Sequence, residues 1–373
     1  MSKQDIFTAT VAHYLAPIRE HLDDPSVTEV MINGPSEIFI ERDGKLEKTN
    51  IRFSDDEAFD TAINNILQYT GKTLTDEHPL VDSRLPDGSR VHVARPPCAR
   101  HGTVMTIRKF AKAMLDIDWL VELGALSEQA RQYLRVAIRS ERNILVVGGT
   151  SSGKTSMLNA LSVYIPEGQR IVVIEDSAEL QLQQPHVISL ESRSPDRYGR
   201  GAVGIRELFR SSLRLRPDRI IIGEVRGGEA LDMIQAMTSG QGGSMGTLHA
   251  NNPRDALNRL ETMALMSKVE LPLAALRAQV ASAIDVIVQM TRHVGGRRLV
   301  TQVTEVDPLG EDGQYRLREI FGQQPGADED DDKAMQLLWS GERSALAGRL
   351  RPAEVALVTD QTRPIFEADA GGK

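Results

Sequence analysis

The sequence predicts an α/β protein in two parts, a parallel-sheet domain with a phosphate-binding loop and, ahead of it, a smaller α+β domain. Three observations carry this. From Ile117 onward, short apolar strands alternate with amphipathic helices, the pattern of a parallel sheet. One of those strands runs into a glycine-rich loop, GGTSSGKT, which opens directly into a helix. Before Ile117 the helices and alternating strands come in blocks separated by turn signals, as in an α+β unit.

Taken in order, Asp5 to Leu22 reads as one helix with Val11, Tyr14, Leu15 and Ile18 on its apolar side. Val27–Met31, Ile38–Glu41 and Lys45–Ile51 alternate as strands, with Asn33-Gly34-Pro35 and Asp43-Gly44 as the turns. Ser54 starts a second helix with acids in its first turn, and Ala58, Phe59, Ala62, Ile63, Ile66 and Leu67 form its buried stripe. After Pro86-Asp87-Gly88, strands at Arg90–Ala94 and Val104–Arg108 close the unit. The expected organisation is an N-terminal domain at 1–110, a hinge at 111–117, the α/β domain at 118–321 and an acidic, partly disordered C-terminal segment at 322–373. The acidic run Asp328 to Asp332 lies in that segment and reads as a solvated linker.

The α/β domain has strands at Ile144–Val147, Ile171–Glu175, Val187–Leu190, Ile220–Gly223 and Met245–Leu248. The loop after the first of them, Gly148, Gly149, Thr150, Ser151, Ser152, Gly153, Lys154 and Thr155, has the spacing G-x-x-x-x-G-K-[ST]. Met157, Leu158 and Leu161 then follow at helical spacing. Strand, loop and helix in that order surround one point with backbone N–H groups and a helix N-terminus, where an anion is stabilised. Lys154 is placed to reach the β- and γ-phosphates of a nucleotide, and the Thr155 hydroxyl to hold magnesium.

Composition narrows the partners. Aromatic residues are 4% of the 373, and the formal net charge is −8, which argues against a base-stacking surface or a general attraction to nucleic acid or anionic lipid. A single cysteine, Cys98, suits a reducing cytoplasm. The N-terminus lacks the build of a signal peptide, and no apolar run approaches the ~20 residues that span a bilayer. Membrane contact is therefore expected only through partners. The eight histidines show no metal-site spacing.

Binding phosphate is not hydrolysing it, which also needs a positioned water, a magnesium environment and neutralised charge. IVVIEDSAEL ends a buried strand with Glu175, Asp176 and Glu179; RIIIGEVRGGEA ends another with Glu224, then Arg226 and Glu229. In a parallel sheet both sets fall beside the phosphate loop. Glu224 is read as catalytic, with Glu179 and Glu175 supporting the water or metal and Glu175 joining Thr155 at magnesium. His249, directly after a strand in GTLHANNPRDALNRLETM, falls in the same crevice. Arg206, Arg210 and Arg214 share one helix face, read as a solvated stripe, a nucleic-acid stripe or a subunit interface, the last preferred over DNA.

Assembled, these pieces resemble the hexameric secretion-superfamily ATPases. That family shares the phosphate loop, an acidic box (Glu175-Asp176-Ser-Ala-Glu179), a Walker B motif ending in Gly223-Glu224 and a histidine box around His249. Within it the motifs are most similar to motors of tight-adherence (Tad/Flp) pili: GEVRGGEALDMIQAM, TLHANNPRDALNRLETM and ALRAQVASAIDVIVQMTR in one domain, DPSVTEVMINGPSEIFIERDGKL, VDSRLPDGSRVHV and TIRKF in the other. Walker B carries glutamate rather than aspartate, as in the family. Gln241-Gly242 and Gly246 depart from the Tad pattern.

The resemblance implies a homo-hexamer with a RecA-like ATPase domain, ATP and magnesium as ligands, and N-terminal arginines, here Arg90 and Arg108, that reach the nucleotide phosphates. It also implies a cytoplasmic motor at the inner membrane, working on a membrane platform protein to assemble, and in some cases retract, a pilus. A conjugative or type IV secretion ATPase shares every catalytic motif. A nucleic-acid motor is the reading from another class, and the charge and aromatic content oppose it.

Overall fold

The computed structural model describes residues 3–367 apart from 43, 111–115, 194, 196–198, 294 and 325–335. The chain divides into two compact units, which part in the sequence between Ala113 and Met114.

In the first unit, α1 (Lys3–Tyr14) and α2 (Arg19–Asp23) stand where one helix is predicted from the periodicity. Pro17 accounts for the break, because it cannot donate to the preceding turn; a short 3-10 turn, Ala16–Ile18, joins the two. Strands β1 (Val27–Asn33), β2 (Ile38–Arg42) and β3 (Lys45–Lys48) precede α3 (Asp56–Tyr69), whose cap is Asp55 rather than Ser54: its carboxylate accepts from the Ala58 N–H. β4 (Leu80–Arg84), β5 (Arg90–Ala94) and β6 (Val104–Arg108) complete one sheet in the order β3-β2-β1-β6-β5-β4. Val30, Ile32, Ile38, Ile40, Val91, Val93, Met105 and Ile107 alternate inward against Phe59, Ile63, Ile66 and Leu67 of α3. The predicted stripe is the buried one. Residues 111–115 of the expected hinge lie outside the described residues, and its last residue, Ile117, is already helical.

The second unit begins with α4 (Ile117–Glu122) and α5 (Glu128–Arg139), then β7 (Ile144–Gly148), α6 (Lys154–Ser162), β8 (Ile171–Glu175) and β9 (Val187–Glu191). It continues through α7 (Ile205–Ser212), β10 (Arg219–Ile222), α8 (Glu229–Thr238), β11 (Met245–His249), α9 (Pro253–Leu265) and α10 (Leu273–Ala283). Strands β12 (Val286–Arg292), β13 (Arg298–Asp307), β14 (Arg316–Gln324) and β15 (Gln336–Trp339) follow. The sheet order is β15-β14-β13-β12-β7-β11-β10-β8-β9, parallel from β12 to β9 and antiparallel from β12 to β15. Both faces are covered, so the central strands read as continuous apolar runs. Ile144, Val146, Ile171 and Val173 pack on one side with α5 and α6, while Leu145, Val147, Val172 and Ile174 pack on the other with α7 to α10.

Two findings depart from the sequence reading. Residues 322–324, counted with the acidic tail, finish β14, and 336–367 add β15 and the short helices α11 (Pro352–Val355) and α12 (Arg363–Phe366). The segment is fastened by apolar and polar contacts together: Leu337, Leu346, Ile365 and Phe366 join the core, and Phe366 stacks on Tyr133 with ring centroids 5.6 Å apart. The buried Glu305 carboxylate accepts from Tyr133 Oη at 2.6 Å, from Ser344 Oγ and from the Ala345 N–H at 2.7 Å. A charge taken out of water needs that many donors. The acidic run itself lies outside the described residues.

The arginine stripe is the second. Arg206 Nε and Arg210 Nε donate to the two oxygens of Asp232 on α8, at 2.6 and 2.8 Å, and Arg206 also donates to the Ser267 carbonyl at 2.9 Å. Two of its three members thus brace α7 against α8 within the chain.

Candidate active site

Four adjacent strands bring their carboxyl ends together. The parallel register pairs Ile174 of β8 with Ile222 of β10, Ile222 with Gly246 of β11, and His249 of β11 with Gly148 of β7. Glu175, Glu224, His249 and the phosphate loop therefore stand in that order along one edge of the sheet, where ligand crevices open in such folds.

The loop is shaped by its glycines. Gly148 has φ 159°, and a Cβ there would lie 2.4 Å from the Met290 carbonyl oxygen of β12. Gly153, at φ 92°, is the cap of α6 and offers no side chain to its N–H groups. Ser151 also adopts a positive φ, 57°, and its carbonyl accepts from Arg298 Nε at 3.0 Å. Ser152 Oγ donates to the Gly149 carbonyl at 2.9 Å. Lys154, only 7% exposed, donates to the same carbonyl at 2.7 Å. Thr150 belongs to the loop and Thr155 to the first turn of α6, beside the uncapped N–H groups. A narrow cradle, an uncapped helix start and a buried cation fit a polyphosphate.

The acids divide into two kinds. Glu175 is buried at the end of β8, and its Oε1 accepts the N–H groups of Glu179 and Leu180 at 2.8 and 3.0 Å. Gly223 explains itself here, since a Cβ on it would come within 2.8 Å of Glu175 Cγ. Burial outweighs those two hydrogen bonds and pushes the Glu175 carboxyl up to about 7. The folded carboxyl is thus above its unfolded value of 4.5, so its stabilising contribution is complete below pH 4.5 and is lost as pH rises through 7. Glu175→Gln keeps the acceptor without the charge. Without nucleotide or magnesium, it is expected to be about 3 kcal/mol more stable than the parent at pH 8.5 and less than about 1 kcal/mol more stable at pH 5. Denaturant melts at the two pH values measure this, and a constant difference would contradict it.

Glu224 is more open. His249 Nε2 stands 2.9 Å from its Oε1, and Arg226 donates to its Oε2 from both Nε, at 2.8 Å, and Nη2. Burial, with Lys154 next, lowers the His249 pKa below its ordinary value. The imidazole is therefore neutral at pH 7. Its Nε2 also lies 3.4 Å from Lys154 Nζ, a hydrogen bond when Nε2 carries no proton. Arg226 Nη1 also lies 3.6 Å from Asp176. Burial works against the guanidinium, but Glu224, Asp176 and Glu179 more than offset it and raise its pKa.

The predicted residues of this unit thus come together: Gly148 to Thr155, Glu175, Glu224 and His249 by side chain or loop, and Glu179 through its backbone. Arg90 and Arg108 belong to the first unit, directly opposite one another on β5 and β6 and hence on one face, with Glu29 of β1 next across from Arg108. Sequence reasoning missed the part played by Glu229, which is buried and accepts the N–H groups of Arg226 and Gly227 at 2.7 and 2.8 Å. It also missed Arg298, whose only signal is a basic pair after Gly295-Gly296.

Comparison with known proteins gives the family. The family described as type II/IV secretion system protein matches residues 12–369. The chain is a member of that family. Among curated relatives, the type IV secretion system protein VirB11 of Brucella suis is 34% identical over 324 residues, which is 79% of this chain and 90% of that protein. The type IV secretion system protein PtlH of Bordetella pertussis is also 34% identical, covering 81% of this chain and 96% of its own. Among solved structures, the pilus retraction motor PilT with bound ADP superposes with a TM-score of 0.55 at 17% identity, over 81% of this chain and 84% of that one. That match shows a shared fold: an N-terminal domain followed by a RecA-like ATPase domain. The protein is an ATPase of the type II/IV secretion family, whose members use nucleotide. Among the described residues no helix is long and apolar enough to cross a membrane.

Proposed function

We propose that this secretion ATPase is the hexameric motor of a Tad-type pilus, hydrolysing ATP to drive a membrane platform protein from the cytoplasmic side of the inner membrane. The observation that carries the hydrolytic part is the row Glu175, Glu224, His249 and Gly148 at four adjacent strand ends. In this reading the loop amides and Lys154 hold the phosphates, and Glu224 takes the proton of the attacking water. Glu179 supports the water, and Glu175 fixes the loop that carries Glu179. His249, neutral, orients the Glu224 carboxylate. Thr155 and Glu175 would hold magnesium, which when bound neutralises charge on the β- and γ-phosphates. The Glu175 carboxyl would have to lose its proton to do so, so the metal would bind more tightly above pH 7 than below.

Arg90 and Arg108 are the N-terminal arginines of this mechanism. They stand directly opposite one another across β5 and β6, so both would meet one polyphosphate. Six copies in a ring and a hinge between the N-terminal domain and the ATPase domain belong to the same proposal.

The Tad assignment rests on the motifs quoted above. A second reading, a type IV secretion ATPase, is favoured by the names of VirB11 and PtlH. Deleting the gene and scoring surface pili against transfer of a secreted substrate separates the two. Loss of pili with secretion intact supports the first, and the converse supports the second. Native mass measurement with ATP and magnesium tests the ring: six copies are expected, and a monomer at every concentration would contradict it.

A further inference from the structure

Arg226 has no part in the reaction as set out so far, yet it is held with care. The turn that carries it is pinned by Glu229, whose Oε1 takes the N–H groups of Arg226 and Gly227. Gly228, the next residue, is packed so closely on Ser267 that a Cβ would lie 3.0 Å from its Cα. Backbone fixed in this way sets the root of the side chain. Its head then lies between Glu224 and Asp176, and Asp176 is itself steadied by Ser192 Oγ at 2.6 Å.

Counting acceptor sites gives the arrangement a meaning. A carboxylate has about four lone-pair positions, two on each oxygen. On Glu224, Arg226 places two N–H groups on Oε2, while His249 Nε2 stands 2.9 Å from Oε1. The positions left open are on Oε1.

We infer that Arg226 is a positioning residue for hydrolysis: it saturates Oε2 of Glu224 and leaves Oε1 to receive the proton of the attacking water. This rests on the reading of Glu224 as the base. In the step, the water proton passes to Oε1, the water oxygen bonds to the γ-phosphorus, and the bond from that phosphorus to the bridging oxygen breaks to release ADP. A lysine cannot replace the fork, because one ammonium cannot present two parallel N–H groups to one oxygen from the same root. Without the fork the carboxylate can rotate, and a misplaced base loses rate while leaving the affinity for substrate intact.

The test uses the full chain and reads binding as well as turnover. Arg226→Ala and Arg226→Lys are expected to lower kcat by about 10- to 100-fold. Affinity for a fluorescent, non-hydrolysable ATP analogue with magnesium should stay within about twofold, since the phosphate contacts are untouched. The lysine variant keeps the positive charge among the acids, so it reports on the fork even if the alanine variant is poorly folded. In a Glu224→Gln background, Arg226→Ala should cause no further loss, because the group it aims no longer acts as a base. Free guanidinium should restore part of the rate of Arg226→Ala. Wild-type turnover in both Arg226 variants, or losses that multiply fully with Glu224→Gln, would overturn the inference while leaving the base in place. Normal turnover in Glu224→Gln alone would overturn the base, and the role of Arg226 with it.

Discussion

Glu224→Gln is expected to bind ATP and magnesium as the parent does and to hydrolyse it about 10²- to 10⁴-fold more slowly, the range that a positioned base contributes. The amide is isosteric and can still accept from His249 or Arg226, but it cannot take a proton from water. Glu179→Gln should be milder, since Glu179 meets Glu175 through its backbone N–H, which the substitution keeps. Single-turnover hydrolysis by the two variants ranks them. Equal defects would mean that the two carboxylates share the proton in one network.

Arg108→Ala, and separately Arg90→Ala, should lower kcat by about a thousandfold with a far smaller loss of ATP affinity. An arginine that meets developing charge is worth that much in related phosphoryl transfers. Its contact with the ground-state phosphate is worth much less. The competing view is of two solvated arginines on β5 and β6. Their surface charges contribute at most about 1 kcal/mol, which predicts changes within a few fold. Steady-state rates at saturating ATP separate expectations that differ by orders of magnitude. Rates within a few fold of the parent would leave the second unit as a self-sufficient ATPase.

How much of this was legible from the residues follows from what each residue answers to. The central strands β7, β8, β10 and β11 are buried on both faces, so they announce themselves as apolar runs, and their ends place Glu175, Glu224 and His249 without further help. The edge strands carry weaker patterns. β4 is Leu-Val-Asp-Ser-Arg with one buried residue, too weak a pattern to mark a strand. β13 to β15 owe their pairing to one another and not to any local rule. The first helix broke at Pro17, a signal that was present and was outweighed by the apolar spacing across it.

Long-range polar contacts were the least legible. Arg206 and Arg210 were rightly placed on one face, but their partner Asp232 lies on another helix, and nothing near them in the chain names it. Arg219 stands in an apolar strand as though exposed, yet it is fully buried and donates to Gln169 and to the carbonyls of Ile138 and Gly243. Such partners are set by the fold. The same holds for Phe366 on Tyr133, which turns a stretch of the expected tail into part of the core.

The central claim is that the row of strand ends around the phosphate loop is where ATP is hydrolysed, and Lys154→Ala tests it most directly. Lys154 donates to the loop's own carbonyl and lies 3.4 Å from His249, while the core around α6 is built by Met157, Leu158 and Leu161. The variant should therefore melt like the parent. Its turnover should fall by at least about a hundredfold, the scale on which removing one preorganised donor to developing charge is felt. Loss of hydrolysis in a protein with an unchanged melting profile is the result this account predicts. Parental turnover in that variant would contradict it.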